Sequence, residues 1–413
     1  MATTKVTARD LRRTNRSAIL RTLYFGKATN RLDLGLHTGL SMATVTNVVT
    51  ELLSAGSVVE AGVEESQGGR PRTILRINPQ HGYFVGVDVG ENAVRMEIFD
   101  LTLQRIGDTQ VHPIAGLSHP QRVVDLIAAG VDTLVSAAGI LPEAVIGVGI
   151  GVPGIVNQST AVTVIAPSIG WREVPLLAML EQRLPYLIFL DNGVKAMTQA
   201  EVLVGEGRGV RHFAAVLIGT GVGAGIFADG SLYRGATNSA GEWGHTKIAL
   251  DGRPCRCGSA GCLEAYVGAP ALIGRWCDLD PQSAPVPGQP EEEAIDALMD
   301  AAARGSPIGK QILDETTHYL AIGIANLINL CNPQCIVLGG WVGMRLGPAI
   351  LPELRRAAEQ LALQPPFRAV TIGLCRLGQD AVALGSATLA LESFLAAGGK
   401  TPMRMVRVGA GTD

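Results

Sequence analysis

Four side chains with metal-ligating chemistry fall within 18 residues of one another: His245, Cys255, Cys257 and Cys262. One imidazole and three thiolates are the donor set of a tetrahedral structural zinc site, which leaves no position open for catalysis. Gly258 and Gly261 ease the turn of the chain between the thiols. Free thiols or a disulfide are the other readings of such a cluster. The chain opens with polar residues and no apolar signal segment, so a reducing cytoplasm is expected and zinc is favoured. Two carboxylates bracket the cluster: Glu242, three residues before His245, and Glu264, two after Cys262. A metal that fixes this loop also fixes both acids. Carboxylates at a set separation accept hydrogen bonds from vicinal hydroxyls and so orient a polyol. His245 can bind zinc through one ring nitrogen and donate to a hydroxyl through the other. Solvated loop acids are the plain alternative for either glutamate alone.

These residues need a scaffold, and the flanking pattern supplies one. Tyr83–Gly90 reads as a buried strand ending in a glycine turn, with Val94–Phe99 returning; Phe213–Phe227 repeats that pattern some 130 residues later. Two such hairpins predict a duplicated α/β lobe. Further strands are expected at Val145–Ile150, Leu187–Leu190 and Cys335–Leu338, and helices at 119–138, 194–204, 291–304, 309–330 and 381–395. The glycine turn at 219–225 can cradle a phosphate through its N–H groups, and Asp88-Val89-Gly90 can hold a metal-bound phosphate. Tight hairpins alone account for such glycines equally well. The longest charge-free stretch, Ala144–Trp171, contains Pro153, Pro167 and the polar run Asn157–Thr160, so no membrane span is expected.

The amino-terminal segment differs from the rest in charge. The formal net charge of −3 averages a +5 head (residues 1–80) and a −8 body (81–413), the asymmetry of a polyanion-binding module on another domain. Helices are expected at Asn15–Phe25 and Asn30–Thr38, then a turn at Gly39 and a third helix capped by Ser41. Val45, Val48, Val49 and Leu52 form its apolar face. Ala43 and Asn47 lie opposite, with Thr44 at the edge, as in a helix that reads a major groove. Ser57–Glu60 and Thr73–Ile77 read as a hairpin around Gln67-Gly68-Gly69-Arg70-Pro71-Arg72. This is a wing whose Arg70 and Arg72 can enter a minor groove. A winged helix-turn-helix is expected, with Ser41, Ala43, Thr44, Asn47, Arg70 and Arg72 as DNA contacts.

Gly241-Glu242-Trp243-Gly244-His245, followed by Cys255-Arg256-Cys257-Gly258-Ser259-Ala260-Gly261-Cys262-Leu263-Glu264, resembles the signature of the ROK family of sugar kinases and sugar-responsive repressors. The resemblance runs from the winged helix through Gly151-Val152-Pro153-Gly154 to Gly339-Gly340. It implies an α/β fold: a two-lobed, actin-like and hexokinase-like body behind the winged helix. The boundaries it implies are 1–78 for the head, 79–192 plus a carboxy-terminal helix near 378–396 for one lobe, and 193–377 for the other. It further implies that Asn192, Glu242, His245 and Glu264 contact a sugar, and that Gly154 lines the same cleft. Family kinases carry an Asn-Asp pair where this chain reads Asn192-Gly193, and that Asp takes the proton from the attacking hydroxyl. The first phosphate turn reads Asp88-Val89-Gly90-Glu91-Asn92 without the Gly-Thr that normally follows, and Trp341 follows Gly339-Gly340. Catalysis therefore gives way to a non-enzymatic regulator, with an ATP-dependent sugar kinase as the alternative, and the surviving Gly219–Gly225 phosphate turn leaves ATP binding doubtful but open. The expected partners are operator DNA, a sugar, and further copies of the chain as a homodimer or homotetramer. A protein partner in place of a free sugar is the third possibility.

Overall fold

The computed structural model describes residues 7–26, 29–64, 71–114, 119–157, 162–286 and 288–401. The first helix, α1 (Ala8–Tyr24), starts well before Asn15. The hydroxyl of Thr7 accepts from the Asp10 N–H while the Asp10 carboxylate accepts from the Thr7 N–H, a reciprocal cap. Within the expected Asn15–Phe25 helix, Ile19, Leu20 and Leu23 form the buried apolar stripe. After α2 (Arg31–Thr38), Gly39 turns the chain with φ 69°. The Ser41 hydroxyl then caps α3 (Met42–Ser54), which buries Val45, Val48, Val49 and Leu52. Strands β1 (Val58–Glu64) and β2 (Arg72–Ile77) pair antiparallel. Of the expected wing, Arg72 opens β2 and is exposed, whereas Gln67–Arg70 lie outside the described residues.

The body begins with β3 (Tyr83–Val89), β4 (Ala93–Asp100), β5 (Arg105–Pro113), α4 (Pro120–Ala137) and β6 (Val145–Val152). A small antiparallel sheet follows, β7 (Ile155–Asn157), β8 (Thr163–Ala166) and β9 (Trp171–Val174), then α5 (Leu176–Glu181), β10 (Ile188–Asn192) and α6 (Gly193–Val204). The second half comprises β11 (Phe213–Ile218), β12 (Val222–Ala228), β13 (Ser231–Leu232), α7 (Glu264–Val267), α8 (Ala269–Leu279), α9 (Glu291–Ala303) and α10 (Pro307–Cys331). It ends with β14 (Cys335–Gly339), α11 (Gly340–Leu361), α12 (Gln364–Ala369), β15 (Thr371–Leu374) and α13 (Ala381–Ala396). The two large sheets run β10-β6-β3-β4-β5 and β13-β12-β11-β14-β15. In each, a central strand has two antiparallel neighbours in succession on one side and two parallel ones on the other. This matched order is the duplication that the repeated hairpins predict.

Helix α13 joins the parts. A Cβ on Gly149 of β6 would lie 1.7 Å from the Ser386 carbonyl oxygen, and one on Gly385 would lie 1.9 Å from the Ala196 carbonyl of α6. Only glycine permits backbones to meet this closely. The end of α13 enters the head: Phe394 and Leu395 share one apolar cluster with Ile19, Leu20, Val49 and Leu52. Buried Arg16 donates from Nε to the Gly398 carbonyl at 2.7 Å and from Nη1 to Glu51 of α3 at 3.0 Å. Among the described residues, no helix is long and apolar enough to cross a membrane.

Candidate functional site

The ends of the two large sheets face one another across a cleft of about 480 Å³, within the size range of small-molecule sites. Gly154, Asn192, Glu242, His245 and Glu264 all line it. They come from the turn after β6, the β10–α6 junction, the glycine-rich loop after β13 and the start of α7, so the topology gathers residues 110 positions apart.

The four donor side chains come together as the spacing predicts. The donor atoms of His245, Cys255, Cys257 and Cys262 lie within 4.8 Å of one another. Cys257 Sγ and Cys262 Sγ are 3.8 Å apart, and Cys255 Sγ is 3.7 Å from His245 Nδ1. Tetrahedral zinc, with bonds of about 2.3 Å to sulfur and 2.0 Å to nitrogen, requires ligand separations of about 3.5–3.8 Å. The residues therefore fit zinc. The knuckle is shaped by a Cys255 N–H to Ser259 carbonyl bond of 2.7 Å, and Gly258 and Gly261 adopt φ of 90° and 71°. Lys247 donates to Cys262 Sγ at 2.9 Å, a cation beside the thiols. Nδ1 of His245 faces the cluster, which leaves Nε2 uncommitted to it, and the residue also lines the cleft.

Glu242 is partly buried, and loss of hydration raises its pKa, opposed by the nearby charges of His245 and Lys195. The Glu264 carboxylate accepts from the Val222 N–H at 3.0 Å, which ties α7 to the turn between β11 and β12. Asn192 has a second duty that its expected sugar contact did not include. Its Oδ1 accepts from the N–H groups of Val194 and Lys195, capping α6, and its Nδ2 donates to the Gly154 carbonyl at 2.7 Å. Gly154 itself has φ 76°, and a Cβ there would lie 2.3 Å from the Ile165 carbonyl oxygen. Both conditions require glycine.

Gly193 is different. A Cβ there would approach nothing closer than 3.4 Å, the Val382 Cγ1 atom. The backbone tolerates a side chain, so packing does not explain the missing carboxylate. At the other end of the cleft, Asp88 is driven up to about 7 by burial, with Arg95 opposing. Trp341 lies against Gly219, with its ring beneath the Arg345 guanidinium. Sequence reasoning missed Arg256 and Glu91, which pair across the cleft at 2.8 Å; nothing local marks partners 165 residues apart. It also missed the small β7–β9 sheet, whose Ile165 and Ala166 line the cleft.

In the head, Ser41, Ala43 and Asn47 are exposed on α3 and Thr44 is half-buried at the edge. The Ser41 hydroxyl is engaged as the helix cap, accepting from the Thr44 N–H at 3.2 Å.

A winged helix fused to a two-lobed actin-like body with a zinc-cluster donor set beside its cleft defines a class that includes sugar kinases and their regulatory relatives. The sequence profile of the ROK family matches residues 84–393, and the chain belongs to that family. The xylose repressor of Caldicellulosiruptor bescii is 29% identical over 389 residues, covering 93% of this chain and 97% of that protein. A crystal structure of a ROK family transcriptional regulator, a homologue of the E. coli MLC protein, superposes with a TM-score of 0.79 at 24% identity. It covers 94% of this chain and 98% of that one, and so shares the fold from head to body. The ROK family glucokinase from Streptomyces griseus, solved with glucose and AMPPNP, matches at 28% identity and a TM-score of 0.65, over 75% of this chain and all of its own.

Proposed function

We propose that this chain is a sugar-responsive transcriptional repressor without kinase activity. In this reading residues 1–78 bind operator DNA through α3 and the wing. The lobes at 79–192 with α13 and at 193–377 bind a sugar between them. Asn192, Glu242, His245 and Glu264 hold its hydroxyls, and Gly154 shapes the wall. Zinc held by His245, Cys255, Cys257 and Cys262 is structural: when bound, it fixes the loop that carries Glu242 and Glu264 and performs no chemistry on the ligand. The observation that carries the reading is Gly193 at the first turn of α6, inside a cleft that otherwise retains its acids. A kinase needs a base there, and loss of a general base costs about a hundredfold to ten-thousandfold in rate.

A switch requires that the sugar bind one lobe arrangement more tightly than the other, and a coupling of about 1–3 kcal/mol suffices. Two heads in a homodimer would span two half-sites of a pseudo-palindromic operator. The test is gel retardation of the chain's own upstream DNA, titrated with D-xylose, D-glucose, amino sugars and inositols. One of these should release the DNA. Glu264→Ala should bind DNA and ignore that sugar. ADP release with every sugar should stay at background; turnover above it would restore the kinase reading.

A further inference from the structure

The Gly219–Gly223 turn has the form of a phosphate cradle, yet its surroundings are anionic. Thr220 Oγ1 donates to Glu291 at 2.6 Å, and the Val222 N–H is taken by Glu264. Glu91, from the β3–β4 turn of the opposite lobe, reaches over the glycines. One of its carboxylate oxygens lies 3.2 Å from where a Gly221 Cβ would be. Its other oxygen accepts from Arg256 Nη1 at 2.8 Å. Arg256 in turn donates from Nη2 to the Thr220 carbonyl at 2.8 Å and stands 3.7 Å from Glu264. Asn92, next to Glu91, donates to Glu291 at 3.5 Å. The Glu91 side chain is only 13% exposed, whereas Arg256 keeps 34% of its side chain open to water.

A bound phosphate needs free amides and an unpaired cation. This turn offers Arg256, but a carboxylate from the facing lobe already neutralises it. We propose that Glu91 is an internal stand-in for a phosphate. It occupies the anion position at the glycine turn, closes that end of the cleft to nucleoside phosphates and sugar phosphates, and ties the two lobes together through Arg256. The ligand class left to the cleft is the uncharged sugar. The proposal rests on reading the cleft as a sensor site, and it makes Glu91 and Arg256 residues that decide ligand specificity. An incoming phosphate would have to displace Glu91 from Arg256 and then sit beside Glu264 and Glu291, where like charges oppose it.

The test uses the full-length chain with its zinc retained, and neither sugar nor DNA, so its failure is separate from any failure of the repressor reading. Magnesium pyrophosphate and magnesium ADP are titrated calorimetrically. The unaltered protein should give no saturable binding at millimolar ligand. Glu91→Gly and the isosteric Glu91→Gln should each bind at least about tenfold more tightly, as expected when a competing internal anion is removed. Adding Arg256→Gln to Glu91→Gly should abolish the gain. Binding by the unaltered protein within about threefold of Glu91→Gly would overturn the proposal. So would no gain in either Glu91 variant, or a gain that survives the loss of Arg256. Zinc content measured on each variant shows that the knuckle is intact.

Discussion

Asn192 supports α6 as well as lining the cleft, and the cost of removing it can be worked from its bonds. Its Oδ1 caps the helix, an interaction worth about 1 kcal/mol. Its Nδ2 holds the Gly154 carbonyl, worth about another 1 kcal/mol. Asn192→Ala loses both, so local opening of the first turn should become easier by about 2 kcal/mol, or about thirtyfold. Asn192→Ser retains a capping oxygen and loses only the amide, which predicts about fivefold. Hydrogen–deuterium exchange reads this at the Val194 and Lys195 amides, the two donors that the cap satisfies. The expected order is unaltered protein, then Ser, then Ala, without sugar present. Equal rates for Ser and Ala, or less than about threefold for Ala, would refute the argument that Asn192 is a structural cap.

Two further expectations follow from named contacts. Cys257→Ser should reduce zinc from about one per chain to background by elemental analysis. It should also lower the melting temperature by about 5 °C or more, because the segment from Cys255 to Cys262 then loses its cross-link, while Trp243 and Leu263 stay anchored in the core. Full metal retention would contradict the ligand set. Glu97, buried in β4, is pushed up to about 7 by desolvation and by the adjacent Asp380, against a hydrogen bond from Thr109 and the charge of Arg105. The folded state thus holds a proton that the unfolded chain releases near pH 4.3, and Glu97 loses the protein stability as pH rises from about 4.5 to 7. Glu97→Gln should melt progressively higher than the unaltered protein across that window; a constant or shrinking difference would show that Glu97 does not titrate there.

How much was legible in the sequence depended on distance along the chain. The four Cys and His side chains able to hold a metal lie within 18 residues, so local spacing alone exposed them. The apolar faces of the first and third helices of the head followed from helical periodicity, and the burial of Ile19, Leu20 and Leu23 and of Val45, Val48, Val49 and Leu52 matches them. Helix α11 was hidden although Val342, Leu346, Ile350, Leu354 and Ala358 recur every fourth residue and are buried. Pro348 and Pro352, inside that helix, are breakers by propensity, and here the packing of the apolar stripe prevails over them. Glu242 and Glu264 were legible as a polyol-orienting pair beside the thiols, whereas adding Asn192 and Gly154 to the proposed sugar contacts needed the family resemblance, because these residues line one cleft only where strand ends converge. The Glu91–Arg256 pair carried no local signal at all, since each residue alone reads as a solvated loop charge.

The union of head and first lobe constrains how a ligand could release DNA. If the winged helix hung on a free linker, sugar could act by loosening it. Instead Ile19, Leu20 and Leu52 share a core with Phe394 and Leu395, and Arg16 joins the Gly398 carbonyl to Glu51. Arg21 adds a 2.6 Å ion pair with Glu392 of α13. Freeing the head would uncover Ile19, Leu20, Leu52, Phe394 and Leu395, all fully buried. Full burial of one such side chain is worth about 1.5–3 kcal/mol, so uncovering even two or three costs more than a coupling of about 1–3 kcal/mol supplies. The head must therefore move with the lobe it is packed on. The motion available to a sugar is of one lobe against the other, about a boundary that Asn192 caps on one side and Glu91 ties on the other. Such a motion leaves each recognition helix intact and changes only where it points relative to a second copy. If two copies share one operator, as proposed, this packing favours release of DNA by loss of register between their heads over unfolding of either.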